Sequence, residues 1–344
     1  MAAPPGATLT GPLVGANSPP PAWGRFVTVD SFVVAVDPAE PPPRLARAIY
    51  AIGNFDGVHR GHRAVLTRAA ALAREAGTAS AVLTFEPHPA DYFAGGPVVF
   101  RLTPFAEKVA ALRDCGVNGV VSLSFGADLA GLSAQAFVEE VLLARLSVSA
   151  VVVGADFHFG KGRSGSPEFL LRAGEALGFR VIVADKVEEQ GESISSTLIR
   201  RAQERGDVAG AAHRLGRPYR VGGEVVGGQR LGRTLGVPTA NIALPATNRL
   251  AFGVYAVNVS LGGRVYGGVA SFGVRPTVDN GPPLLETYIL DFAQDIYGRH
   301  IEVDFTAWLR PELKFDGLPA LKGAMAKDID DARRVWERQI QATL

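Results

Sequence analysis

Short apolar runs alternate with segments of helical spacing between residues 48 and 184, and this alternation most constrains the fold. Buried strands are predicted at residues 48–52, 79–85, 117–123, 148–153 and 179–184. Amphipathic helices are predicted between them, at residues 62–76, 103–115, 133–146 and 167–177. Strand–helix alternation of this length predicts a doubly wound α/β domain with a parallel sheet, over residues 25–205.

The pattern changes near Arg217 and Pro218, after a segment at residues 206–216 that we interpret as a helical connector. From Tyr219 onward glycine is frequent and the apolar runs are short, as in the strictly alternating residues 301–305. This pattern is typical of an antiparallel barrel or sandwich over residues 217–344. The chain closes with a predicted helix at residues 318–340, whose apolar stripe should pack on the β-structure.

Composition excludes several classes of protein. The chain has 344 residues, enough for two domains with separate cores, and its 35 Lys and Arg nearly cancel its 34 Asp and Glu. No overall field therefore draws it to nucleic acid or to a membrane surface. The single cysteine, Cys115, excludes an intramolecular disulfide and a cysteine-based zinc site, and we expect it to fill core volume.

The N-terminus is proline-rich and lacks the features of a signal peptide. Residues 1–24 contain six prolines but neither a basic start nor a compact apolar stretch, so a disordered tail is the prediction. No apolar run approaches the roughly 18 residues of a membrane-spanning helix. A cytoplasmic location is therefore the default expectation.

The first glycine-rich segment, residues 53–62 (GNFDGVHRGH), follows a predicted strand and opens a predicted helix. Such a turn places backbone N–H groups and the positive end of the helix beside a bound phosphate. His59 and His62 are three residues apart, and Gly61 between them permits close approach of the backbone. Two imidazoles there could donate hydrogen bonds to phosphate oxygens, although two surface histidines on a loop fit this motif alone equally well.

The second segment, residues 232–241 (GRTLGVPTAN), lies in the β-rich half. Thr239 and Asn241 are two residues apart, so an extended strand would point both side chains to one face. A hydroxyl and an amide oxygen suit Mg²⁺ together with ATP phosphates. On spacing alone, a hydrogen-bonded turn pair fits better. Two phosphate-handling segments in different folds predict two consecutive reactions on one substrate.

Five motifs occur in order in the first half: residues 53–62, 84–89 (TFEPHP), 153–160 (VGADFHFG), 161–165 (KGRSG) and 194–200 (ISSTLIR). Together they resemble the adenylyltransferase module of bifunctional bacterial riboflavin kinase/FAD synthetases, over residues 45–205. The resemblance implies that His59 and His62 hold the triphosphate, within a turn that includes Gly53, Asn54 and Gly61. It further implies a phosphate clamp of Ser195, Ser196, Thr197 and Arg200, a nucleotide contact at Asp156, and flavin contacts at Phe85 and Phe157. His88 is interpreted as a rigid turn residue.

Residues 217–335 resemble the riboflavin kinase module of the same enzymes. The resemblance rests on residues 222–241, 253–255, 273–277, 285–292 and 296–298, with Arg310 and Phe315. It implies an antiparallel β-barrel, with Glu286 as catalytic carboxylate and Thr239 and Asn241 as metal ligands. It also implies phosphate contacts at Gly232 and Arg233, and a flavin contact at Arg275. The chain departs from the pattern at Gly227, where relatives commonly have His, and at Val237, where they often have Phe, which puts ATP affinity in question.

The expected function is therefore ATP-dependent phosphorylation of riboflavin to FMN, followed by adenylylation of FMN to FAD with release of pyrophosphate. Mg²⁺ is the expected cofactor, ATP the co-substrate, and riboflavin and FMN the small-molecule partners. The oligomeric state stays open, with a monomer as one option. Two alternatives remain: transfer of another nucleotidyl group, such as cytidylyl, to a phosphorylated alcohol, and a non-catalytic flavin-binding protein.

Overall fold

A computed structural model describes residues 26–29, 31–189, 191–227, 237–273 and 284–343. Its N-terminal sheet has seven strands in the order β1-β2-β5-β4-β3-β6-β7. Only β1 is antiparallel to its neighbour, and the other six strands are parallel. The strands are β1 (Phe26–Val29), β2 (Phe32–Val36), β3 (Ile49–Ile52), β4 (Ser80–Glu86), β5 (Gly119–Ser124), β6 (Ala150–Gly154) and β7 (Arg180–Ala184). The doubly wound parallel sheet predicted for this half is confirmed.

Helices cover both faces of this sheet. They are α1 (Arg60–Glu75), α2 (Pro89–Phe93), α3 (Phe105–Arg113), α4 (Ala127–Gly131), α5 (Ala134–Ala136), which continues as a π-helical segment (Phe137–Arg145), and α6 (Pro167–Leu177). All four residues of β3 are buried, Tyr50 and Ile52 in one core and Ile49 and Ala51 in the other. Burial on both faces explains why this strand is a continuous apolar run rather than an alternating one.

A hairpin and two helices connect the two halves of the chain. They are β8 (Glu188–Glu189), β9 (Glu192–Ser193), α7 (Ser196–Glu204) and α8 (Val208–Leu215). Apolar side chains of α7 and α8, including Ile199, Ala202 and Leu215, belong to the same buried cluster as the interior of the C-terminal β-structure. These two helices therefore complete the C-terminal core.

The C-terminal strands are all antiparallel, in the order β10-β15-β12-β13-β14-β11. They are β10 (Tyr219–Glu224), β11 (Ala240–Ala243), β12 (Gly253–Leu261), β13 (Arg264–Gly273), β14 (Leu284–Ile289) and β15 (His300–Pro311), followed by helix α9 (Leu318–Thr343). A bridge between Val226 and Asn241 joins the two edges of the sheet, and the Val226 N–H donates to the Asn241 carbonyl at 2.9 Å. The sheet is thus nearly closed into a barrel, as predicted.

Helix α9 packs on the outside of this barrel. Ile329, Ala332 and Val335 contact the cluster that includes Val254 and Val269. The ends of the predicted apolar stripe do not share this burial, because Leu318 is 61% exposed and Ile340 is 43% exposed. Within the part of the chain that the structure describes, no helix has the length and apolar character needed to cross a bilayer.

Candidate functional sites

The first candidate site lies where the strand order of the parallel sheet reverses. Strand β3 pairs with β4 on one side and with β6 on the other. Residues 53–59 leave the carboxyl end of β3, and Asp156 and Phe157 follow the carboxyl end of β6. Open α/β sheets bind ligands outside the carboxyl ends of their strands at such a point. The topology therefore brings two of the predicted segments to one crevice.

His59 and His62 form a stacked pair at the start of α1. His59 is the N-cap residue, and its Nδ1 accepts a hydrogen bond from the His62 backbone N–H at 3.2 Å. The ring centroids are 3.6 Å apart. A Cβ at Gly61 would lie 3.1 Å from the His59 ring and 3.3 Å from the Ile194 carbonyl oxygen, so any larger residue would require these neighbours to shift. Because Nδ1 is the acceptor, the neutral His59 ring carries its proton on Nε2.

Both imidazoles are held neutral by their surroundings. Burial lowers the pKa of His59 to about 4, against the opposing effect of the Asp56 charge. Burial also lowers the pKa of His62 well below its ordinary value, and the nearby His59, Lys108 and Arg200 lower it further. At neutral pH these rings can donate hydrogen bonds to phosphate without being cations.

The predicted phosphate clamp is partly assembled by Asp56. The Arg200 guanidinium lies 2.5 Å from Asp56 Oδ2, and its Nε donates to the Phe100 carbonyl at 2.7 Å. Ser196 Oγ donates to the Asp56 carbonyl at 2.8 Å, whereas Ser195 Oγ caps α7 by accepting from the Leu198 N–H. Asp56 had no role predicted from its sequence motif. Burial raises the pKa of Asp56, but Arg200, Arg101 and two backbone N–H groups outweigh it and keep this pKa below the ordinary value.

For three predicted residues near this site, Thr197, Asp156 and Asn54, the structure shows no contact that tests the predicted role. Thr197 is exposed on the first turn of α7, and Asp156 is 76% exposed, with Lys186 Nζ 3.9 Å from its Oδ2. Asn54 is half-buried in the turn, close to Gly53, whose added Cβ would meet the Phe55 ring at 3.3 Å. None of these positions contradicts the predicted roles, which stay predictions.

Aromatic side chains gather at the carboxyl ends of β4 and β5. Phe85 is buried against Phe125 in an edge-to-face contact at 6.2 Å. Phe125 in turn contacts Phe93, which is 72% exposed and was not singled out in the sequence. Phe157 is half-buried and stacked on the buried Phe159. A bare exposed ring beside a buried cluster is a suitable stacking surface for a planar ligand.

A buried ionic cluster lies beneath the first site and was missed. Lys108 is 1% exposed, and its Nζ lies 2.6 Å from Glu86 Oε1. Arg101 contacts the same carboxylate oxygen at 2.6 Å. Burial raises the pKa of Glu86, but the two cations outweigh it and keep this pKa below the ordinary value. A lysine on a short helix such as α3 gives no sequence signal that it is buried. The one hint in the sequence is Glu86, which lies just before Pro87 and Pro89.

The second candidate site is at the β11–β14 edge of the barrel. A cavity of about 240 Å³ lies there, and Thr239, Asn241 and Thr287 contribute to its wall. Asn241 is 4% exposed, and neither its Oδ1 nor the Thr287 hydroxyl has a hydrogen-bond partner within the described chain. Buried oxygens without a partner are costly, which indicates a ligand that supplies the missing contact. Thr239 and Asn241 are two residues apart and carry hard oxygen donors, so this pair fits a magnesium ion. Thr287 pairs with Ala240 and so projects to the other face of the sheet.

Glu286 lies opposite Asn241 in the β11–β14 ladder. Residues directly opposite one another in an antiparallel pair project to the same face, which places this half-buried carboxylate beside the amide. Gly232, Arg233 and Arg275, the other predicted residues of this site, lie outside the described residues. Among the residues that are described, no group of three or more His, Cys, Asp or Glu side chains is arranged to hold a metal.

Comparison with known proteins supports one assignment for both halves. The family model of FAD synthetase matches residues 42–198, and that of riboflavin kinase matches residues 215–336. The bifunctional riboflavin kinase/FMN adenylyltransferase of Pseudomonas fluorescens is 44% identical over 292 residues, which cover 85% of this chain and 94% of the relative. The chain belongs to this family. The Escherichia coli K12 member is 42% identical over 289 residues, 84% of this chain and 92% of the relative.

A solved structure agrees with the fold over both halves of this family member. It is described as a macrolide-efflux protein from Streptococcus pneumoniae, with a TM-score of 0.77 and 31% identity, and the match covers 87% of this chain and 98% of that one. The structure describes both positions at which the chain departs from the kinase pattern. A Cβ added at Gly227 would meet nothing within 4 Å, and Val237 is half-buried at the start of the Thr239 segment.

Proposed function

We propose that the chain phosphorylates riboflavin with ATP at the barrel site and then adenylylates the resulting FMN at the sheet site, releasing pyrophosphate. The observation that carries this proposal is the presence, in one member of the bifunctional family, of two sites with different chemistry. The first presents neutral imidazole donors, and the second presents buried oxygens without partners. Both reactions consume ATP, so we place them in the cytoplasm.

Adenylyl transfer requires an FMN phosphate oxygen to attack the α-phosphorus of ATP as the bond to pyrophosphate breaks. No covalent intermediate on the enzyme is needed, so alignment and charge stabilisation suffice. His59 and His62 would donate to the phosphate oxygens as negative charge shifts toward the pyrophosphate. Arg200, Ser195 and Thr197 would hold the phosphates from the start of α7, with Asp56 fixing the Arg200 fork. Phe85, Phe93 and Phe157 offer the flavin an apolar surface.

Phosphorylation of riboflavin requires a base near its terminal ribityl hydroxyl. Glu286 is the proposed base, since it is half-buried on the face shared with Asn241. Thr239 and Asn241 would hold Mg²⁺, which would neutralise charge on the ATP phosphates when bound. We propose Gly232 and Arg233 as further phosphate contacts and Arg275 as a flavin contact, from the sequence alone.

One assay tests the proposal against its alternatives. The purified full chain is incubated with riboflavin, ATP and Mg²⁺, and the flavins are separated by chromatography over time. FMN should appear first and FAD afterwards, and supplied FMN should be converted to FAD directly. A protein that merely binds flavin would leave riboflavin unchanged. A cytidylyltransferase would instead use CTP with a phosphorylated alcohol and leave FMN intact.

A further inference from the structure

Lys108 has no assigned role, yet its environment is unusual for a lysine. It lies on α3 and is 1% exposed. Removing an ammonium group from water is costly unless its partners compensate for the loss, so a buried lysine requires close polar contacts. Its Nζ has three: Glu86 Oε1 at 2.6 Å, the Asn54 carbonyl at 3.2 Å and Thr84 Oγ1 at 3.3 Å. One of these contacts is a backbone group of the phosphate turn.

The Asn54 carbonyl is held by two donors at once. Lys108 donates to it, and the Thr84 hydroxyl donates to it as well, at 3.2 Å. A trans peptide unit points its C=O and its N–H in opposite directions. Drawing the Asn54 carbonyl toward Lys108 and Thr84 therefore turns the N–H of Phe55 away from them, out of the buried ionic cluster.

That N–H is an unused donor. Within the described ranges, the Phe55 N–H donates to no acceptor in the protein. Phe55 is 2% exposed, and buried backbone N–H groups without partners are rare. Its φ of 49° is in the left-handed region, which an aromatic residue adopts only when its surroundings impose it. Its ring contacts His62 edge-on at 5.2 Å, so Phe55 adjoins the histidine pair.

We propose that Lys108 is a positioning residue for adenylyl transfer: together with Thr84 it fixes the Asn54–Phe55 peptide so that the Phe55 N–H is presented to a phosphate of the bound nucleotide. Glu86 retains the lysine in place, since its carboxylate also binds Arg101. Lys108 acts through the backbone, and its own ammonium is shielded from the ligand. The inference rests on the proposed adenylyltransferase activity of the first site.

The test compares substitutions in the full chain. Lys108→Met keeps the length of the side chain and removes its donor and charge. The kcat for FAD formation from FMN should fall by about tenfold to a hundredfold, because sub-ångström errors in alignment cost this much. Riboflavin phosphorylation by the same protein should be unchanged. Lys327→Met, at a lysine whose side chain is 74% exposed on α9, is the matched control and should keep both activities.

A second variant guards against a folding defect in Lys108→Met. Thr84→Val preserves the shape of a fully buried side chain and removes the other donor to the Asn54 carbonyl. It should lower the kcat for FAD formation by about threefold to tenfold. Either variant, folded by circular dichroism and forming FAD at a rate within twofold of the wild type, would overturn the proposal. If the wild type makes no FAD, the proposed adenylyltransferase function is wrong. This outcome differs from the one that overturns the role of Lys108, in which the wild type and the variants make FAD at similar rates.

A pH profile measures the effect of the Lys108 charge on the histidine pair separately from its hydrogen bond to the Asn54 carbonyl. His62 is faced by His59, Lys108 and Arg200, and the positive charges of Lys108 and Arg200 oppose its protonation. Lys108→Met should therefore move the acid limb of FAD formation to higher pH, whereas Thr84→Val should leave that limb in place. An unmoved limb in folded Lys108→Met would contradict the placement of the lysine charge beside the histidine pair.

Discussion

In the proposed sheet site the groups that would meet phosphate are hydrogen-bond donors, whereas the proposed barrel site contains a buried amide oxygen without a partner in the described protein. His59 and His62 are neutral rings beside Arg200 and an unused backbone N–H. Asn241, in contrast, lines a cavity, and its Oδ1, which can only accept, has no partner in the described protein. Donors can bind phosphate oxygens directly. Acceptors repel them unless a cation lies between.

This difference explains why the two reactions need separate sites although both use ATP. Nucleotidyl transfer exposes the α-phosphorus and requires the whole triphosphate to be aligned by donors. Transfer of the γ-phosphoryl group requires a base for the accepting hydroxyl and a cation on the phosphates.

Substitution of the histidine pair should separate the two activities most strongly. His59→Ala or His62→Ala should lower FAD formation by at least roughly a hundredfold, because each removes a donor to developing charge. FMN formation from riboflavin should continue almost unchanged and serves as the internal control. His59→Asn retains a residue that can cap α1, so it should lose activity with less loss of stability. Equal loss of both activities would end the assignment of separate sites.

The reverse separation is expected in the barrel. Glu286→Gln keeps the shape of the side chain and removes the base, so FMN production should collapse while supplied FMN is still adenylylated. Asn241→Ala and Thr239→Ala should also lower kinase activity, and any remaining activity should require more Mg²⁺. Initial rates measured across a magnesium titration check both statements. Near-normal phosphorylation by Glu286→Gln would show that the base lies elsewhere.

The boundary between the two regions can be tested with fragments. The change of periodicity at Arg217 and Pro218 predicts that residues 213–344 fold alone and phosphorylate riboflavin without making FAD. Side chains of α7 and α8 lie in the barrel core, so residues 196–344 should be the more stable fragment. Thermal unfolding of the two fragments compares them directly. A folded fragment 196–344 that makes no FMN would show that the sheet domain contributes to kinase catalysis.

Deletion of residues 1–24 tests the other end of the chain. The proline-rich sequence offers little to pack, so both activities should be kept. Loss of either activity would assign a role to this segment.

Patterns with a fixed period were predictable from the sequence. Five of the parallel strands, their helices and the barrel follow from apolar spacing, because burial on one or two faces determines that spacing. Strands β1 and β2, at one side of the sheet, were missed, and so was the π-helical form of Phe137–Arg145. Local spacing carries no information on which edge of a sheet accepts another strand.

The residues of the candidate sites also divide into those that were predictable from the sequence and those that were not. His59, His62 and Asn241 stood out because their motifs are contiguous in sequence. Asp56, Lys108 and Phe93 did not, because their roles depend on segments that meet only in the folded chain. A lysine on a helix predicts solvent exposure by default, and only tertiary contacts reverse this.

Acid should destabilise the sheet domain before the barrel. The pKa of His59 is lowered to about 4, so the unfolded chain takes up its proton first, and stability present above pH 6.5 is lost as the pH falls toward 4. This group alone amounts to about 3 kcal/mol. Asp56 and Glu86, whose pKa values are also lowered, act in the same direction at lower pH. In the barrel, burial raises the pKa of Glu312, which has the opposite effect.

Hydrogen exchange measured by mass spectrometry between pH 7 and pH 4 would resolve the two regions. Protection of β3 and β4 should fall before that of β12 and β13. His59→Asn should flatten the loss in this window. Simultaneous loss of protection in all four strands, unaffected by His59→Asn, would show that the buried histidine does not set the acid limit.

A small effect on stability is expected at Gln203, where the connector helices meet the barrel. Its side chain is fully buried, and neither amide atom has a hydrogen-bond partner in the described part of the protein, although its backbone carbonyl accepts from Ala251. A buried amide without partners is costly, so Gln203→Leu should stabilise the chain by about 1–2 kcal/mol and leave both activities intact. Gln203→Ala is the matched control, and it should be less stable than the leucine variant because it leaves a cavity. Calorimetric unfolding of the three proteins gives the order. If Gln203→Leu is less stable than the wild type, the Gln203 amide has a hydrogen-bond partner such as a buried water. The amide would then stabilise the contact between the connector helices and the barrel.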